Sequence, residues 1–94
     1  SENGLIIVVF TLERGSNQVL AGPDIVSRGF VYVREAEDLM EEAREVALNT
    51  LDRCFAKGTT EWGRMKVEIR DELGNFIRKK TKRNPMILPI IMEC

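Results

Sequence analysis

Five bases fall within six positions late in the chain: Arg78, Lys79, Lys80, Lys82 and Arg83, in the string RKKTKR. No acid follows until Glu93, so this is the strongest local positive field in the sequence. Side chains of this kind bind phosphate oxygens and position a polyanion without reading its bases. Base stacking would need exposed aromatics, whereas Trp62 and Phe76 belong to an apolar helical stripe. A second reading is a cationic helix end that compensates the helix dipole. The residues alone leave the two readings level.

Other chemistry finds little support. The chain has no histidine, which removes the commonest general base and the commonest transition-metal ligand together. Ser16 and Ser27 therefore have no imidazole to activate them. Cys54 sits in an apolar helical pattern and Cys94 is the last residue; neither has metal-pair or redox-pair spacing, and both are read as reduced cytosolic thiols. Glu35, Asp38 and Glu42, or Glu41 and Glu45, share a face at helical spacing. An acidic first turn that suits the helix dipole explains them better than a divalent metal does. The string GPDIVSRGF matches neither a dinucleotide loop nor a P-loop, and reads as a strand corner in which Arg28 suits a bidentate partner, either Asp24 or a carboxylate across an interface. No catalytic, cofactor or metal-ligating residue is assigned.

These residues need elements to hold them. The chain has 94 residues, 44% apolar and 31% charged, the composition of one soluble globular domain spanning 1–94. The net charge of -1 hides an asymmetry: residues 1–45 carry four bases and nine acids, residues 46–94 ten and six. No run reaches the ~20 apolar residues of a membrane span, and no signal-peptide pattern opens the chain. The expected location is the cytoplasm, with no membrane partner. Ser1 in place of an initiating methionine points to a fragment.

Leu5 to Leu12, LIIVVFTL, is β-branched and apolar without alternation, which predicts a strand buried on both faces. A polar turn at Glu13 to Gln18 returns the chain as an antiparallel partner. That second strand is expected to be interrupted at Gly22–Pro23–Asp24, a kink or edge position, and to resume over Gly29–Val33. From Ala36 the period changes to three and four: Leu39, Met40, Ala43, Val46, Ala47, Thr50, Leu51 and Cys54 mark an amphipathic helix closed by Gly58. Thr59 or Thr60 is expected to cap a second helix with the stripe Trp62, Met65, Ile69, Leu73 and Phe76, ending before Asn84–Pro85. Met86 to Met92 is a third apolar strand, confined by Pro89 to an edge or bulge.

The expected fold is a small two-layer α/β (α+β) unit, a three-stranded mixed sheet with two helices on one face, in the order β-β-α-α-β. The second sheet face then lacks a cover and is predicted to dock on another domain or subunit, with Ile6, Val8, Phe10, Arg28, Ile87 and Ile91 as interface candidates.

Read together, GPDIVSRGFVYVRE, EAEDLMEEARE and KKTKRNPMILPIIME resemble the C-terminal domain of the ribonuclease J family, from about Gly4 to Glu93. Asn84 stands where an arginine is common. The resemblance implies a parent ribonuclease of the metallo-β-lactamase and β-CASP type that cleaves RNA as a 5′-to-3′ exonuclease and as an endonuclease. It implies two zinc or manganese ions held by histidine-rich motifs, none of which is in this chain. It further implies a non-catalytic accessory role here, supporting a homo-oligomer (dimer or tetramer) or docking on the metallo-β-lactamase and β-CASP domains, with RNA bound through the parent. Direct, sequence-independent RNA binding by Arg78 to Arg83 is the alternative.

Overall fold

A computed structural model describes residues 4–16, 18–29 and 36–94. The elements are β1 (Leu5–Leu12), β2 (Val19–Arg28), α1 (Ala36–Ala56), α2 (Trp62–Thr81) and β3 (Met86–Glu93). They form the expected three-stranded mixed sheet with two helices. β1 is central, antiparallel to β2 and parallel to β3. A parallel neighbour requires a long crossover, and the helical hairpin α1–α2 supplies it.

Although LIIVVFTL has no polar alternation, its burial alternates strictly. Ile6, Val8, Phe10 and Leu12 are buried, while Leu5, Ile7, Val9 and Thr11 are only half-buried. The pleat sends successive side chains to opposite faces, and the helices cover only one of them. On that face the even residues of β1 meet Ile87 and Ile91 of β3, Leu39, Ala43, Ala47, Leu51 and Cys54 of α1, and Met65, Ile69, Leu73 and Ile77 of α2. Each fully buried Leu, Ile or Phe here contributes about 1.5–3 kcal/mol. The expected stripe on α2 needs one change: Ile77 is fully buried, whereas Trp62 and Phe76 pack only partly against the core.

The second strand differs from expectation. It runs unbroken through Gly22, Pro23 and Asp24 and ends at Arg28; of the resumption predicted over Gly29–Val33, Gly29 is not strand and residues 30–33 lie outside the described residues. Two features let it continue. β2 is an edge strand, so a proline without an N–H leaves no gap in an inner ladder. The register also slips between Val9 and Thr11, so that Gly22 and Pro23 together stand opposite Phe10. Gly22 has φ +98°, and a Cβ there would lie 2.5 Å from the Val9 carbonyl oxygen, so only glycine fits. From α1, Arg44 Nε donates to the Pro23 carbonyl at 2.7 Å and pins the bulge to the helix layer.

The helix junction also corrects the capping expectation. Gly58 takes the left-handed conformation after α1, with Gly58 N–H donating to Phe55 O at 3.0 Å and Thr59 N–H to Cys54 O at 2.9 Å. This double closure is a Schellman motif. Thr59 is thereby committed to ending α1, and the N-cap of α2 is Glu61, which makes no side-chain capping bond. Three ion pairs lace the antiparallel helices together: Glu42 with Lys80 (3.6 Å), Arg53 with Glu72 (3.5 Å) and Lys57 with Glu68 (3.1 Å).

Candidate functional site

The sheet face away from the helices is built from four rows across the strands. Arg28, Leu5 and Met86 form the first, Val26, Ile7 and Leu88 the second, Asp24, Val9 and Ile90 the third, and Ala21, Thr11 and Met92 the fourth. In a pleated sheet, directly paired residues share a face. Met86 is 60% exposed, Met92 50%, Leu88 45% and Val26 38%, while the central-strand residues between them are half-buried by their neighbours. The result is a continuous apolar surface with Arg28 at one corner and Asp24 on one side.

The uncovered face is therefore present, but five of the six residues proposed for it are not on it. Ile6, Val8 and Phe10 are fully buried and Ile87 and Ile91 are 7% exposed, all beneath the helices. The reason is parity. Residues one position away, at Leu5, Ile7, Val9, Met86, Leu88, Ile90 and Met92, occupy the open side. Arg28 alone of the six is exposed there, and its Nη1 donates to the Ser27 carbonyl at 3.0 Å. The ion pairs among the described residues do not join it to Asp24.

The basic run lies at the C-terminal end of α2. Arg78, Lys79 and Lys80 occupy its last turn, where the partly negative helix end favours them, and all five bases are exposed. They are not equivalent. Lys80 pairs with Glu42 and stands 6.0 Å from the Phe76 ring centroid. Arg78 donates to Asn75 Oδ1. Lys82 closes the helix in the left-handed conformation, its N–H bonded to Arg78 O at 2.9 Å. The backbone N–H of Arg83 donates to Thr81 Oγ1 at 3.1 Å. Lys79 and Lys82 carry their charges outside any ion pair among the described residues.

Two hollows flank these features. One, of about 270 Å³, lies at the other end of the molecule and includes Trp62, Phe55, Glu13 and Glu93 in its lining. The other, of about 480 Å³, runs between the second half of α2 and the start of β3, with Arg70, Gly74, Asn75 and Arg78 along the helix and Asn84 and Met86 opposite. Sequence reading missed this groove because Arg70 is remote from the basic string. The available signal was the helical spacing of Arg70, Gly74 and Arg78, one turn apart each.

Among the described residues no three His, Cys, Asp or Glu side chains come together as a metal site. Cys54 is buried; burial, and then the adjacent Glu68 carboxylate, push its thiol pKa up, so it is a packed side chain and a poor nucleophile. Among the described residues no helix is long and apolar enough to cross a membrane.

A family model described as the ribonuclease J C-terminal domain matches residues 1–94. Ribonuclease J2 of Bacillus subtilis (strain 168) is 44% identical over 93 residues, which is 99% of this chain and 17% of that protein. Ribonuclease J 2 of Staphylococcus aureus (strain NCTC 8325 / PS 47) is 42% identical over the same share of each. The chain thus spans about a sixth of the length of the curated relatives it matches.

Proposed function

The chain belongs to the ribonuclease J C-terminal domain family, and from that premise we propose that it is a non-catalytic accessory domain of a metal-dependent, RNA-degrading and RNA-processing enzyme. Its role is to hold that enzyme's other domains, or a second copy, through the open sheet face. The observation that carries this reading is the apolar surface of Met86, Leu88, Met92 and Val26 around Leu5, Ile7 and Val9. Contiguous apolar patches of this kind mark interaction sites on soluble proteins. The metal-dependent hydrolysis, as 5′-to-3′ exonuclease and endonuclease, belongs in this proposal to metallo-β-lactamase and β-CASP domains elsewhere in the enzyme. The zinc or manganese ions are assigned in this proposal to those domains. The proposed location is the cytoplasm.

The test is the mass of the chain in solution across a concentration series, for wild type and Leu88→Glu. We expect self-association, or binding of the separately produced remainder of the enzyme, that Leu88→Glu abolishes while the circular dichroism spectrum is unchanged. A wild type that stays monomeric and binds nothing would sink the docking role.

A second reading is supported by Lys79 and Lys82, which lie at the helix end outside any ion pair among the described residues: the domain touches RNA directly, as a sequence-independent phosphate contact. Its signature is a salt-dependent affinity, whereas apolar docking changes little with salt.

A further inference from the structure

The groove between α2 and β3 has a floor that the chain's own packing does not explain. Gly74 lies in the interior of a 20-residue helix, where glycine is less favourable than alanine. A Cβ at this position would meet nothing within 4 Å, so no neighbouring element requires the glycine. One turn before it stands Arg70 and one turn after it Arg78, both exposed and both lining the groove. At a rise of 1.5 Å per residue the two arginine positions are about 12 Å apart along the helix, with bare backbone between them.

Both guanidiniums are held by short local partners. Arg70 Nε lies 3.4 Å from Asp71 Oδ1, and Arg78 donates to Asn75 Oδ1. A guanidinium has five N–H donors, so each keeps donors beyond these contacts. Asp71, which also lines the groove, offsets one positive charge, so the two arginines leave its lining with a net charge of +1. Asn75 adds an amide, and Met86, 60% exposed at the corner of groove and open sheet face, offers a polarizable apolar contact.

We propose that this groove is a binding track for the sugar–phosphate backbone of single-stranded RNA, with Arg70 and Arg78 each taking a phosphate and Gly74 letting the chain approach the helix between them. The proposal rests on the second reading above and sharpens it, moving the contact from the tip of the basic string to the side of α2. Guanidinium groups suit phosphate because their planar fork makes two parallel hydrogen bonds. Track and docking face adjoin at Met86, so RNA on the track would pass beside whatever covers the sheet.

The experiment measures anisotropy of a labelled oligouridylate of about ten nucleotides against the 94-residue chain over a salt series. Arg70→Gln is expected to weaken binding about three- to tenfold and to flatten the slope of log affinity against log salt by ~0.7, the loss of one phosphate contact. Gly74→Ala is expected to melt a few degrees higher than wild type, because alanine favours the helix, and yet to bind several-fold more weakly. That opposition of signs is not produced by a purely structural glycine. If Arg70→Gln and Gly74→Ala bind as wild type while a Lys79→Gln/Lys82→Gln variant loses RNA, the track is overturned and RNA binding at the helix tip survives. If the wild type binds no RNA at low salt, both fail. A polyglutamate competitor that displaces RNA at equal charge concentration would overturn the proposal in favour of an acidic protein segment.

Discussion

Ile87 and Leu88 are neighbours in one strand, chemically alike, and on opposite faces of the sheet, so truncating each in turn tests the sidedness on which the functional reading depends. Ile87 is 7% exposed and packed beneath the helices, whereas Leu88 is 45% exposed on the open side. Ile87→Ala removes buried methyl groups and leaves a cavity, which costs about 2–5 kcal/mol. Leu88→Ala loses only part of the 1.5–3 kcal/mol of full burial and opens no cavity, so about 1 kcal/mol or less is expected. The whole chain is worth about 5–14 kcal/mol at the usual 0.05–0.15 kcal/mol per residue, so the first change takes a large share of it. With about 4–8 °C lost per kcal/mol in a domain of this size, Ile87→Ala should lower Tm by at least ~8 °C and Leu88→Ala by a few degrees. Thermal and urea unfolding followed by circular dichroism measures both. It should be done at low protein concentration, because a second copy on the open face would add concentration-dependent stability to the wild type. Equal losses at the two positions, or a greater loss at Leu88, would refute the assignment of faces.

Three further outcomes follow from the geometry. Gly22→Ala should cost about 2–4 kcal/mol by urea titration, because its Cβ would meet the Val9 carbonyl at 2.5 Å on a backbone with positive φ, while Gly15→Ala, whose Cβ meets nothing within 4 Å, should lose less. The hydrogen bond from Lys57 holds the Glu68 pKa below its ordinary 4.5, so its stabilising contribution is present above that value and disappears as pH falls through the lowered pKa; Glu68→Gln should flatten the acid limb of the stability curve, and an unchanged limb would discount the pair. A thiol reagent at neutral pH should modify the exposed Cys94 rapidly and Cys54 only on unfolding, as peptide mapping of the labelled chain would establish.

Much of this architecture can be read from residue order. Change of hydrophobic period locates β1, both helices and β3, and Gly58 marks the end of α1 correctly. What escapes is parity. In LIIVVFTL and MILPIIM both faces are apolar, so the alternation that normally reveals the solvent side is missing, and the side is fixed by where the helical hairpin lands. A faint signal existed: the one polar residue before the end of β1, Thr11, shares its parity with Leu5, Ile7 and Val9, on the side that proves open. Proline and glycine in β2 pointed to a kink or an edge, and the edge is what the pairing shows; the interruption expected with it is absent because their disruption is harmless there. The basic string was legible as charge, but its unequal members were not, because Glu42 reaches Lys80 from α1.

The parallel pairing of Leu5 with Met86 through Leu12 with Glu93 carries a consequence for biosynthesis. Within this domain the central strand β1 is made before β2 and both helices, and its second neighbour β3 only after them. Until then one long side of β1 offers unpaired N–H and C=O groups beside an apolar surface, a template for pairing with another nascent chain. Contacts spanning some eighty residues also close slowly relative to the local β1–β2 hairpin. A chain broken off just before Met86 therefore keeps the segments of its hairpin and helices but lacks the strand that completes the sheet.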